Sequence, residues 1–360
     1  MPPPSDSANE PPSRPGRIDS WDVLRGLAVG LVMLRHAWPA EFPGAGVAGV
    51  TMFFGLSGFL ITDIIQGEVA RSGQLSFVRF YRNRFYRLIP AVAVLLLVYL
   101  VVELFTGRLH DRAPFVSVAV GLLYLADVPG IHTGPGLGHL WTLAVEEQFY
   151  LVWPTLLIFG IRRSRVGAVV ATAIVGTLLV TALALTVSST TATVYTLPTS
   201  WAPALLVGAA GRMYIEKLRT VVRPWALVLA GMGLVSACWL PDAKDKPLTY
   251  LVVGPLIAFS AAVLVIGSAP YSSVPTWLKP LRMLGRISYA VYLWNFPIVC
   301  WLRGGFQEGT SGYSLLSIGL SIVAGTASWY LVEEPMQRVK RRLHGGGTRQ
   351  RSGTEMARTS

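Results

Sequence analysis

Arg25 and His36 stand eleven residues apart in the apolar stretch WDVLRGLAVGLVMLRHAW. A helix turns about 100° per residue, so eleven steps come within about 20° of three full turns. The two side chains then share one helix face, about 16 Å apart along the axis, roughly half of a bilayer's hydrocarbon core. Ionisable groups at that depth are costly and usually face a protein interior or a watery cavity. There an imidazole can serve as a general base, and a guanidinium can hold negative charge. The alternative is structural: Arg25 snorkels to one interface and His36 caps the other end.

Four further groups could complete such a site. TMFFGLSGFLIT carries Ser57 and Gly58, small enough for a second helix or a ligand to approach closely. RFYRNRFYRLIP carries Arg79, Arg82, Arg84 and Arg87 among Phe80, Tyr81, Phe85 and Tyr86. Guanidinium forks match phosphate oxygens and aromatic rings stack on a purine, so this stretch suits a nucleotide-bearing cosubstrate as well as plain topogenic charge. Arg84 and Arg87, spaced i,i+3, share a helix face. GHLWTLAVEEQFYLVWP carries His139, Trp141, Glu146 and Glu147, expected near the level of His36. One of these two carboxylates could orient an imidazole; otherwise one is solvated and the other pairs with a structural Arg. Finally, LGRISYAVYLWNFPIV places Ser288, Tyr292 and Asn295 on one late apolar segment, where Tyr and Trp also serve as interfacial residues.

The elements that must position these groups are apolar throughout. A mean hydropathy of +0.51, with 52% hydrophobic and 14% charged residues, differs from a soluble domain, which averages about 25% charged. The fold expected is an all-α, polytopic transmembrane helical bundle. The 360 residues have room for about ten spans. A membrane domain over 17–336 lies between two tails, 1–16 and 337–360, whose Pro/Ser and basic Gly/Ser/Thr compositions read as disordered. The first apolar segment has no small-residue cleavage site and reads as a retained span. The formal charge of +12 sits at segment ends, with no nucleic-acid motif. Cys238 and Cys300 form no disulfide or metal pattern; neither a metal nor a permanently bound cofactor is expected.

Charge sets the topology. The run 115–126 is short for a span and is followed by Asp127. If it does not cross, one side of the membrane holds 24 Lys/Arg and the other 5, with Arg25 and Arg35 inside the first segment completing the 31. Ten spans with both termini cytoplasmic follow from the positive-inside rule. The segment 199–211, short and holding Pro203, is the weakest of the ten. The expected location is the cell (plasma or inner) membrane, with membrane lipid as a partner.

In sequence order, the blocks DVLRG and RH (Asp22 to His36), FFGLSGFLIT (53–62), RNRFYRLIPA (82–91), HLWTLAVEEQFYLVWP (139–154), ISYAVYLWNFP (287–297) and LVEEP (331–335) resemble the acyltransferase 3 family. The resemblance covers about residues 17–336 and implies an integral membrane O-acyltransferase. It further implies that Arg25 and His36 are the family's paired residues of the first span, that Arg84 and Arg87 are its Arg pair before the third, and that Glu146 is the Glu of the HLW block. His36 and Glu146 are then the expected catalytic residues, and Arg25, Arg84 and Arg87 the expected contacts of acyl-CoA. Ser57, His139, Trp141, Tyr292 and Asn295 are expected around the substrate cavity. The family usually has His where this chain has Asn295, which can hydrogen-bond but cannot exchange a proton. Proton chemistry therefore falls to His36. The acceptor expected is a hydroxyl of a carbohydrate, glycolipid or secondary metabolite such as a macrolide. The competing reading is a transporter or flippase that uses the same Arg, His and Glu residues as a substrate or proton path.

Overall fold

A computed structural model of the chain describes residues 18–107, 112–188, 190–269, 273–303, 305–307 and 309–340. Helices and connecting loops make up these residues, with no strand among them. The helices are α1 (Asp19–Ala37), α2 (Ala45–Ser72), α3 (Phe77–Phe105), α4 (Ala113–Leu122), α5 (Trp141–Arg162), α6 (Val166–Val187), α7 (Thr191–Thr196), α8 (Pro198–Met213), α9 (Ile215–Val221), α10 (Pro224–Ala237), α11 (Gly254–Ser268), α12 (Lys279–Arg286), α13 (Ser288–Leu302) and α14 (Ser311–Ser328). Wider helical turns lead into α11 at Thr249–Val253 and out of α14 at Trp329–Glu333. Helix then continues to Lys340.

Local chemistry sets several of these boundaries. Ser76 accepts the Arg79 amide at the start of α3, and Thr310 accepts the Tyr313 amide at the start of α14. Gly73, at φ 73°, ends α2 in the left-handed conformation that a side chain would strain. Proline sits in the first turn of α4, α8, α10 and α11, where no amide hydrogen is needed.

Among the described residues, five helices are long and apolar enough to cross a membrane: α2, α3, α6, Thr249–Ser268 and Ser311–Lys340. The pair α9 and α10, bent by 100°, makes a sixth if it counts as one broken span. The remaining expected spans fall short for physical reasons. α1 and α5 carry the charged residues of the candidate site, while α8, α10 and α13 have 16, 14 and 15 residues. The run expected not to cross forms α4, ten residues long. The tail 1–16 and residues 341–360 lie outside the described residues; residues 337–340 are helical, not irregular as their composition led us to expect.

Contacts between helices give their relative directions. Arg25 and His36 on α1 meet Ser288 and Asn295 on α13, so these two helices run the same way. Ser57 and Thr62 on α2 meet Glu146 and Trp153 on α5, a second parallel pair. α3 opposes α5: Tyr81 bonds the Tyr150 and Leu151 carbonyls, while Arg84 pairs with Glu147. α14 likewise opposes α13, through Asn295 to Ser321 and Tyr313 to the Val299 carbonyl.

Helices cannot be driven together by water inside a bilayer, so close backbone approach at small residues does much of the packing. A methyl group at Gly58 would lie 1.8 Å from the Leu205 carbonyl oxygen, and one at Gly208 1.9 Å from that of Gly55. The small residues of the FFGLSG block thus divide their work: Gly55 and Gly58 seat α8, while Ser57 turns toward α5. The later half of α1 touches the first half of α2 in the same manner: a methyl group at Gly49 would lie 2.6 Å from the Ala28 carbonyl and one at Gly46 2.9 Å from the Arg35 side chain.

Gly58→Ala should therefore lower stability in detergent by about 1–3 kcal/mol, through forced separation of α2 and α8. Gly30→Ala, with nothing within 4 Å of the added methyl, should leave the thermal unfolding midpoint unchanged or raised. Equal midpoints for both variants would refute the close-packed α2–α8 seam.

Candidate functional site

Five helices converge on a narrow cavity of about 80 Å³: α1 with Arg25, α2 with Ser57, α3 with Arg84 and Arg87, α5 with Thr142, Glu146 and Tyr150, and α13 with Ser288, Tyr289 and Tyr292. Seven residues singled out from sequence, Arg25, Ser57, Arg84, Arg87, Glu146, Ser288 and Tyr292, thus meet around one space. At the cavity's edge, Arg25 Nε donates to Ser288 Oγ at 3.3 Å. Ser57 Oγ donates to Glu146 Oε1 at 2.6 Å, fixing the carboxylate against the α2 wall. The Arg84 guanidinium lies 3.4 Å above the centre of the Tyr150 ring, and its Nε is 3.6 Å from Glu147 Oε1. In such dry surroundings, cation–π attraction and a carboxylate together hold a charge that neither would hold alone.

Beyond this space lies a larger one of about 730 Å³, lined by the start of α1, by Asp63, Arg212, Glu216 and Arg219, by Arg286, and by Glu333 and Lys340. It has the size of a cofactor pocket. Arg25, Leu60, Arg87 and Tyr289 line both spaces, so two guanidiniums stand at the threshold between them. Ion pairs brace the mouth. Asp63 holds Arg212 at 2.5 Å, Asp19 bonds Arg282, and Arg286 lies 3.7 Å from Asp19 and 3.8 Å from Asp22. Glu333, of the LVEEP block, is buried in the wide helical turn after α14.

His36 is in neither lining. Its Nδ1 lies 2.6 Å from Asn295 Oδ1, and its ring packs 5.2 Å from Phe296. Phe296 also touches the His139 ring at 5.5 Å, and His139 touches Tyr292 at 5.6 Å. Tyr292 is tied to Thr142 by a 2.7 Å hydrogen bond, and this pair, on the cavity wall, backs onto His139.

Three expected residues take other positions than the sequence suggests. His36 Nδ1 meets Asn295 Oδ1, while Glu146 Oε1 accepts from Ser57. The reason is helical rise: His139 is level with His36, and Glu146 stands seven residues, or about 10 Å, further along the chain. There it faces Ser57 and the arginines. Trp141 is not in the cavity but in the core, buried against the rings of Phe54, Tyr195 and Trp201. His139 and Asn295 are buried beyond the cavity and do not line it.

Other site residues escaped the sequence reading. Tyr150 follows Glu146 by four residues and so shares its face, a signal open to inspection. Ser314, Ser317 and Ser321, spaced i,i+3,i+7, are fully buried along α14. Ser321 receives Asn295 Nδ2 at 3.1 Å, and Ser314 Oγ donates to the Ala37 carbonyl at the end of α1. A serine stripe at helical spacing in an apolar segment was the available signal.

The family model for the acyltransferase domain matches residues 18–333, nearly the whole described chain. Among curated relatives, O-acetyltransferase OatA of Staphylococcus aureus is 26% identical over 350 residues, covering 90% of this chain and 58% of its own. Peptidoglycan O-acetyltransferase OatA of Listeria monocytogenes is 28% identical over 349 residues, covering 89% and 56%. The putative peptidoglycan O-acetyltransferase YrhL of Bacillus subtilis is 26% identical over 352 residues, covering 89% and 55%. The chain thus spans little more than half the length of these relatives. No solved structure matches it. With paired Arg25 and His36 on one helix face, the arginines of α3 and Glu146 gathered around a single cavity, and a family match over most of its length, this chain belongs to the acyltransferase 3 family.

Proposed function

We propose that this protein is a multi-pass O-acetyltransferase of the plasma membrane that moves an acetyl or other short acyl group from acyl-CoA to a carbohydrate hydroxyl. The observation that carries this reading is the threshold formed by Arg25 and Arg87 between a wide charged chamber and a narrow polar cavity. A nucleotide with several phosphates fits the first, among Arg212, Arg219, Arg286 and Lys340, and a pantetheine arm fits the second. The names of the relatives, O-acetyltransferase and peptidoglycan O-acetyltransferase, support the acetyl group and a sugar acceptor.

In this reaction the acceptor hydroxyl attacks the thioester carbonyl, His36 takes the hydroxyl proton, and the C–S bond breaks as the ester forms. The proton then passes to the departing thiolate, which leaves as coenzyme A thiol. Arg25, steadied by Ser288, holds donor charge at the threshold. The Thr142–Tyr292 pair must part for the thioester to reach His36.

Charge supports the proposed orientation, and helix direction the proposed number of crossings. The wide chamber lies at the basic ends of its helices, which the positive-inside rule makes cytoplasmic. The parallel pairs α1 with α13 and α2 with α5, and the opposed pairs α3 with α5 and α13 with α14, fit ten crossings with α4 excluded. With both native cysteines replaced, Glu41→Cys and Thr190→Cys should react with an impermeant thiol label in intact cells. Gln74→Cys and Lys217→Cys should react only after permeabilisation. Labelling of Gln74→Cys in intact cells would reverse the orientation.

Activity is tested by thiol release from acetyl-CoA in the presence of a muramyl glycan. His36→Gln should lower the rate roughly a hundredfold or more, with normal protein level and unchanged acetyl-CoA affinity. Arg87→Ala should weaken acetyl-CoA binding in calorimetry more than Arg84→Ala, because Arg84 is already engaged by Tyr150 and Glu147. Arg87→Lys should recover only part of the affinity, since an ammonium lacks the bidentate fork. Movement of the glycan or of protons across vesicles without thiol release would favour a transporter instead. Arg variants that bind like the parent would leave these residues as topogenic charges.

A further inference from the structure

We infer that Ser321 and Asn295 form a positioning relay that fixes the tautomer of His36. The rate consequence rests on His36 being the base; the tautomer itself does not.

The argument counts protons along one chain of hydrogen bonds. Ser321 has a single hydroxyl hydrogen, and it is donated to the Ser317 carbonyl oxygen at 2.6 Å. Its oxygen can then only accept from Asn295, 3.1 Å away. The Asn295 side chain must therefore present its NH₂ to Ser321, which turns its carbonyl toward His36. That carbonyl, 2.6 Å from Nδ1, carries no hydrogen, so Nδ1 must donate. A neutral imidazole has one N–H, which leaves the lone pair on Nε2 and makes Nε2 the basic atom. Asn295, Ser317 and Ser321 are buried, so no competing water reorients the amide. Ser314, on the same face of α14, donates to the Ala37 carbonyl and clamps the backbone beside His36. α14 thus holds both the main chain and the ring of the proposed base. An imidazole at position 295 would lose this property, because it can present either a donor or an acceptor to Nδ1; a carboxamide held by Ser321 presents only its carbonyl.

The test is nitrogen-15 spectroscopy of histidine-labelled protein in detergent micelles, in alkaline buffer where imidazole is neutral. The chain has five histidines, and a His36→Gln difference spectrum isolates the one of interest. The parent should show His36 with the proton on Nδ1. Ser321→Ala frees the amide to rotate and should give mixed tautomers, with kcat down about tenfold or more and KM for acetyl-CoA unchanged. Ser317→Ala keeps the backbone carbonyl that receives the Ser321 proton and should leave the tautomer intact, although it too removes a buried hydroxyl. Asn295→Asp keeps an acceptor facing Nδ1 and should also retain the Nδ1 proton. An Nε2-protonated His36 in the parent overturns the relay, as does a Ser321→Ala protein with the parent's spectrum. Should Ser321→Ala fail to fold, the parent and Asn295→Asp spectra decide. If the spectra are as expected and His36→Gln still transfers acetyl at the parent rate, the relay stands and the proposed catalytic role of His36 falls.

Discussion

Ionisable side chains buried in an apolar bundle are tolerable only where a neighbour satisfies them, and this requirement orders the whole molecule. α1 carries Arg25 and His36, and α13 answers each, Ser288 for the first and Asn295 for the second. Because those partners are seven residues apart on a parallel helix, the register of α1 against α13 is set at two points. α14 adds a third point at the Ala37 carbonyl. The other helices join this frame through further polar ties, Ser57 to Glu146 between α2 and α5 and Asp63 to Arg212 between α2 and α8, and through small residues and aromatic rings.

The same requirement explains how the charged residues are distributed. The arginines of the narrow cavity are not held by carboxylates alone: Arg84 leans on the Tyr150 ring as well as on Glu147, and Arg25 donates to the Ser288 hydroxyl. Partners that are rings and hydroxyls leave more of a guanidinium's positive charge uncompensated than further carboxylates would. At the mouth of the wide chamber, where solvent is nearer, full carboxylate pairs return, as between Asp63 and Arg212.

Much of this was legible in the sequence. The eleven-residue spacing placed Arg25 and His36 on one face, and both do reach α13. The brevity of 115–126 marked α4 as the odd segment. What could not be read was depth across helices. His139 and Glu146 are neighbours in the chain, but helical rise sends one to the His36 level and the other to the arginines. Trp141 looked like part of a motif because of its position beside His139, whereas its ring points into the aromatic core. The role of Asn295 depended on serines nearly thirty residues away, and only the packing of α13 on α14 brings them together. Residues paired within one helix were visible, and those paired across helices were not.

The contact of α1 with α2 at Gly46 and Gly49 has a geometric consequence. The later half of α1 lies against the first half of α2 where Gly49 faces the Ala28 carbonyl and Gly46 the Arg35 side chain, while Trp21 and Phe59 meet ring to ring 5.2 Å apart toward the other ends. A helix seated against its neighbour's backbone cannot turn about its own axis without driving a side chain into main chain. The azimuth of α1 is thereby locked, and with it the direction in which Arg25 and His36 point.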